Sequence, residues 1–146
     1  MKKVVQKQLG ELLIGGKLIT RENLETALKL QKERGGLIGE ILVSMGFTTE
    51  ETIAQALTAQ YGFPYLPLAG YSIDIAVAAI IPETISAKHN LVAVDKVGGV
   101  LTLAMSNPLN QAAIDEVEAL THFKVQVFVA TATDIREAIK RCFQKS

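Results

Sequence analysis

Gln31 and Gln60 each end an apolar stripe of nearly the same composition, Leu24, Ala27 and Leu28 before one and Ile53, Ala56 and Leu57 before the other. A buried primary amide must find hydrogen-bond partners, and leaving one unpaired costs about 1–3 kcal/mol, so a repeated glutamine implies a repeated partner. The plain reading is that each glutamine caps the fraying last turn of its own helix. Other candidate chemistry falls short. Gly15-Gly16-Lys17-Leu18 has Glu11 where a phosphate loop needs its first glycine and Leu18 where it needs a hydroxyl. His89 and His122 lack a nucleophile or paired carboxylate at motif spacing and read as surface or turn residues. Asp115, Glu116 and Glu118 read as a solvated helical face, and Cys142 as a small buried hydrophobe. No acid, base and nucleophile set assembles, so the expectation is a protein without enzymatic activity and without catalytic residues.

The elements that carry the glutamines repeat. Displacing the sequence by about 29 residues brings Gly10-Glu11-Leu12-Leu13-Ile14 onto Gly39-Glu40-Ile41-Leu42-Val43. The match continues through Thr20, Glu22, Leu24, Ala27, Leu28 and Gln31 onto Thr49, Glu51, Ile53, Ala56, Leu57 and Gln60. Leu9, Leu12 and Leu13, then Ile38, Ile41 and Leu42, recur at helical spacing. Gly15-Gly16 and Gly46 end those helices, and Thr20 and Thr49 cap the next, with Glu22 and Glu51 in favourable first-turn positions. Each copy is therefore expected to be a helical hairpin.

Composition narrows the function class. With 49% hydrophobic residues in 146, the chain can bury one sizeable core or two small adjoining ones. One cysteine cannot form an internal disulfide, and two distant histidines offer no metal-ligand spacing, so no metal site is expected. Fifteen basic against 15 acidic residues leave no electrostatic surplus for binding a nucleic-acid polymer. The start, Met1 to Lys7, turns polar before a signal-peptide core forms, and no apolar run nears the ~20 residues that span a bilayer. Cytoplasmic residence is expected, with at most peripheral membrane association through a partner.

From Gly62 the pattern changes. Phe63-Pro64-Tyr65-Leu66-Pro67-Leu68 reads as an extended linker. Helical stretches follow near Ile73–Ile80 and Pro82–His89, then two strands, 91–94 and 100–105, that flank Gly98-Gly99 as a β-hairpin. Ser106-Asn107-Pro108 breaks the second strand. A helix from about Asn110 to Thr121, a strand 125–129 and a closing helix capped by Thr133 complete the chain, with Ile135, Ala138, Ile139 and Cys142 on one face. The expected fold class is α+β: tandem helical hairpins over 1–62, followed by a small α/β layer with a β-hairpin and packed helices over 63–146.

Leu9-Gly10, Leu13-Ile14, Leu18-Ile19, Leu24, Leu28 and Gln31, a spacer, then Ile38-Gly39, Leu42-Val43, Gly46, Ile53, Leu57 and Gln60 resemble a known family. It is the N-terminal, or MshEN, domain of type II secretion and type IV pilus assembly ATPases. Members of that family carry two such motifs, each opened by Arg-Leu-Gly, and some bind cyclic di-GMP. A two-fold symmetric ligand suits a duplicated motif. This chain has Gln8 and Leu37 where arginine opens the motifs, Lys17 where the first motif carries a later glycine, and Thr48 where an aliphatic residue is usual.

The resemblance implies a regulatory module of a secretion or pilus-assembly system, with no cofactor and cyclic di-GMP as the possible ligand. Gln31 and Gln60, with Gln8, are implied to bond the ligand's polar groups. Gly10 and Gly39 are implied to allow close backbone approach, and Leu9, Leu13, Leu24, Leu28, Ile38, Leu42, Ile53 and Leu57 to supply apolar contact. Read from spacing alone, the same leucines are core residues. The alternative is a ligand-free docking module linking a secretion or pilus ATPase to a partner component, the ATPase itself being one candidate partner.

Overall fold

The computed structural model of the protein describes residues 2–143, with side chains from Leu9 onward, so the Gln8 side chain lies outside the described residues. Four helices come first: α1 (Lys2–Gly15), α2 (Arg21–Arg34), α3 (Ile38–Ser44) and α4 (Glu50–Tyr61). Their boundaries follow from side-chain chemistry. Thr20 Oγ1 accepts from Asn23 N and Asn23 Oδ1 accepts from Thr20 N, both at 3.0 Å, a reciprocal cap that starts α2. Thr49 Oγ1 accepts from Thr52 N at 3.1 Å and starts α4. Leu9, Leu13, Leu24, Ile38, Leu42 and Leu57 meet as the buried core of the four helices, joined by Val129 from the second half.

The segment after α4 is extended, as its prolines require, but it is not a free linker. Val129 N donates to Pro64 O and Leu66 N to Val129 O, both at 2.8 Å, which lays Tyr65 alongside the chain at Val129. Then come α5 (Ile75–Ala78) and α6 (Glu83–His89). The helix expected over Ile73–Ile80 is only the short α5, started by Asp74 Oδ1 accepting from Ala76 N and stopped ahead of Pro82, which disfavours helical backbone in the residue before it.

A three-stranded sheet follows in the order β1 (Leu91–Val97), β2 (Val100–Met105), β3 (Lys124–Val129). β1 and β2 pair antiparallel with a register shift between Ala93 and Asp95, while β2 and β3 pair parallel across α7 (Gln111–Thr121). Central β2 is buried almost throughout because both of its faces are covered. Leu101, Leu103 and Met105 pack with Ala113 and Val117 of α7. Ala104, with Val92 and Val94, packs against Ile135, Ala138, Ile139 and Cys142 of the last helix, α8 (Ala132–Phe143). The architecture is α+β, as the alternation of helical and strand periodicity led one to expect.

Three readings need correction. The cap of α8 is Thr131, whose Oγ1 accepts from Asp134 N at 3.3 Å and whose carbonyl accepts from Ile135 N; Thr133 already lies inside the first turn. His89 is not a surface residue: it ends α6 at 4% exposure, with Nε2 2.7 Å from Glu116 Oε1 on α7. The acidic face of α7 is therefore engaged in part: Glu116 meets His89 and Glu118 accepts from Val125 N at 3.0 Å, while Asp115 is exposed as expected and accepts from Gln111 Nε2 of its own helix at 2.9 Å. His122, by contrast, sits in a turn as expected, closing α7 in left-handed backbone.

Candidate functional site

A cavity of ≈ 610 Å³ lies where the helical hairpins meet the α/β layer. One wall comes from the hairpins: Leu9 of α1, the stretch 36–41 with Val43 and Ser44 around α3, and Glu50, Ile53 and Ala54 of α4. The opposite wall is the turn Ser106-Asn107, Asn110, the stretch 130–132 and Arg136. Most of the first wall is aliphatic. The second brings amides and hydroxyls, because two helices begin on it.

Those beginnings are held locally. Asn107 Oδ1 accepts from Leu109 N at 3.2 Å, and Asn110 Oδ1 caps α7 by accepting from Ala113 N at 3.2 Å. Thr131 caps α8 as described. Polar bonds join the two sides of the cavity. Glu50 on α4 accepts from the Thr133 backbone N–H and, at 2.6 Å, from Thr133 Oγ1, so a carboxylate takes up first-turn donors of α8. Arg136 donates through Nη1 to Glu40 on α3 and through Nη2 to Thr133 Oγ1 at 3.1 Å.

The residues singled out from the sequence divide into groups. Leu9, Ile38, Gly39 and Ile53 line the cavity, one from the first motif and three from the second. Leu13, Leu24, Leu42 and Leu57 are core, and Leu28 packs against it. Gly10 serves packing: a Cβ there would stand 2.6 Å from Leu24 Cδ1. Gln31 Nε2 donates to Gly36 O at 2.9 Å, which ties the loop leading into the cavity-lining stretch of α3. Gln60 is exposed in the last turn of α4.

Sequence reasoning missed Asn107, Asn110, Thr131, Glu40, Glu50 and Arg136 as cavity residues. Asn107-Pro108 was legible as a strand break, and such a turn at the end of a central strand is a place where side chains gather at a helix start. Nothing in the spacing of Glu40 and Arg136 signals that they meet. Chemically, the cavity combines an aliphatic wall with a few convergent polar groups, which suits binding of a small molecule. Among the described residues, no three His, Cys, Asp or Glu side chains gather as a metal site, and no helix is long and apolar enough to cross a membrane.

The sequence profile of the MshEN domain matches residues 61–146, which hold the sheet, both sheet-covering helices and the second wall of the cavity. The chain belongs to the MshEN domain family. This MshEN chain is 34% identical over 136 residues to the type IV pilus assembly ATPase PilB of Myxococcus xanthus, covering 93% of this chain and 24% of that protein. It is 33% identical over 137 residues to PilB of Thermus thermophilus, covering 92% of this chain and 15% of the relative. The chain thus spans a quarter or less of the curated relatives' length. Among solved structures, MshE with cdg (cyclic di-GMP) superposes at TM-score 0.68 with 25% identity, over 92% of this chain and 98% of that one. The N-terminal domain of XpsE superposes at TM-score 0.77 with 19% identity, over 94% of each, and shares the fold.

Proposed function

We propose that this MshEN domain is a non-enzymatic, cytoplasmic regulatory module of a type IV pilus assembly or type II secretion ATPase, and that it takes cyclic di-GMP in the cavity between its halves. The two halves, 1–62 and 63–146, act in this reading as subdomains that the ligand bridges. The observation that carries it is the meeting of both motif copies, through Leu9 and through Ile38, Gly39 and Ile53, on one cavity whose far wall supplies Asn107, Asn110 and Thr131. Aliphatic side chains suit the faces of a base, and amide and hydroxyl groups suit its edges and the ribose. A ligand contacting both walls alters the relative stability of their arrangements and so biases whatever the domain is joined to. The MshE structure with cyclic di-GMP supports the choice of ligand.

Calorimetric titration with cyclic di-GMP, with cyclic di-AMP and GTP as controls, tests this directly. Saturation near one ligand per chain is the expected result. Silence up to about millimolar ligand, roughly 4 kcal/mol of binding free energy, would sink it.

A second reading, a ligand-free docking module for a secretion or pilus-assembly protein, draws on different observations. Gln31 is satisfied within its own loop, and Tyr61 and Tyr65 stand exposed at 49% and 46% beside the junction of the halves. Exposed tyrosines of this kind are common anchors of protein interfaces. This reading predicts a silent titration together with capture of a secretion or pilus component that Tyr65→Ala weakens.

A further inference from the structure

The geometry points to Arg136 as the residue that selects guanine over adenine in the seam cavity, an inference that rests on the cyclic dinucleotide reading above. Arg136 is the one Lys or Arg side chain among the described residues that line the cavity, and it comes from α8, far from either motif in sequence. It shares that cavity with Leu37, where the second motif has no arginine of its own.

Its planar group is held in place. Nη1 donates to Glu40 and Nη2 to Thr133 Oγ1, which uses two of the five guanidinium N–H donors and orients the rest. A guanidinium held in this way presents a rigid fork of donors rather than a mobile point charge. Guanine offers two adjacent acceptors, O6 and N7, that match such a fork. Adenine places an amino donor where guanine has O6, so the same fork meets a donor and one bond is lost.

The surroundings favour a base edge over a phosphate. Arg136 is already neutralised by Glu40, and Glu50 adds a second carboxylate to the lining. An anionic group pushed into the cavity would meet those two carboxylates, whereas a neutral base would meet fixed donors beside the aliphatic wall of Ile38 and Ile53. The ligand therefore enters base first, with its phosphates toward solvent.

The test is titration of cyclic di-GMP and of cyclic di-AMP into the wild-type chain, Arg136→Lys, Arg136→Met and Lys140→Gln, each verified as folded by thermal melting. Arg136→Lys keeps the charge beside Glu40 and loses the fork. Lys140→Gln removes one positive charge a turn further along α8, away from the cavity lining. The expected result is a wild-type preference for the guanine ligand of about tenfold or more, abolished in both Arg136 variants by a loss of guanine affinity alone, and intact in Lys140→Gln. A preference that survives in Arg136→Lys and Arg136→Met overturns the inference, as does a wild type that binds both ligands equally. A wild type that binds neither ligand overturns it together with the functional reading beneath it.

Discussion

Lys17 and Gly46 occupy the same place in successive copies of the hairpin, and both stand in left-handed backbone, at φ 59° and φ 78°. Around each, the chain closes with the same two bonds. Leu18 N donates to Leu13 O and Lys17 N to Ile14 O; Phe47 N donates to Leu42 O and Gly46 N to Val43 O. The duplication is thus kept down to the helix-ending hydrogen bonds, although one copy has lost its glycine.

That loss has a cost that can be measured. Left-handed backbone costs a non-glycine residue about 1–2 kcal/mol, part of which a glycine returns through its larger unfolded-state entropy. Lys17→Gly is expected to stabilise the chain by about 0.5–1 kcal/mol, read as a higher urea midpoint at unchanged slope. An unmoved midpoint would mean that Lys17 bears no strain. Gly46→Ala runs the comparison in reverse and is expected to lower the midpoint.

Thr48 stands one repeat after Ile19, which is buried, and its Oγ1 is buried without a partner among the described residues. Such a hydroxyl forfeits its bonds to water and gains none in exchange. Thr48→Val, of nearly the same shape, is expected to raise stability by about 1 kcal/mol in denaturant unfolding. If the variant is less stable, the hydroxyl has a partner after all and the argument falls.

Local signals explain why the hairpins were legible and the cavity was not. Thr20, Thr49 and the glycine-ended turns act within a few residues of themselves, so spacing alone places them. The bonds across the cavity join Glu50 to Thr133 and Glu40 to Arg136 over sequence separations of 83 and 96 residues, where periodicity carries no information. The α8 cap was misread by two residues because threonines stand at both 131 and 133, and only packing of the helix decides between them. His89 was misread because its partner, Glu116, comes from a different helix.

The Glu50–Thr133 pair joins the two halves, and its strength follows from a double-mutant cycle. Glu50→Gln and Thr133→Val are each expected to lower stability by about 0.5–1.5 kcal/mol, since charge-assisted bonds are the stronger kind while partial exposure discounts them. Their combined effect should fall short of the sum by the share of the hydroxyl–carboxylate bond alone, because the backbone N–H of residue 133 still donates to Glu50 in Thr133→Val. Strict additivity would show that the hydroxyl–carboxylate bond contributes nothing.

Burial pushes the Cys142 thiol pKa up, and nearby Arg141 only partly opposes it. The folded chain then holds that proton to higher pH than the unfolded chain does. The associated stability is full below the ordinary thiol value, about pH 8.5, and is lost as pH rises through the folded pKa. Stability should decline above about pH 8.5 more steeply in the wild type than in Cys142→Ala. Alkylation of native protein at pH 8 should be slow and should accelerate in urea; equal rates in both states would contradict the burial.

Gly39 separates a cavity that binds from one that merely exists. It is in the first turn of α3, its backbone φ is not left-handed, and a Cβ there would meet Leu9 Cδ2 at 3.5 Å and Ile53 Cδ1 at 3.7 Å, ordinary contact distances. Alanine is a better helix former than glycine by about 1 kcal/mol, so Gly39→Ala is expected to melt at the wild-type temperature or slightly above it. The new methyl occupies space on the aliphatic wall that a base would otherwise cover. Affinity for cyclic di-GMP should therefore fall by about tenfold or more in a chain that is no less stable, a combination that unfolding cannot produce. If Gly39→Ala binds cyclic di-GMP as the wild type does, the ligand does not lie against this wall and its site must be sought elsewhere on the hairpins.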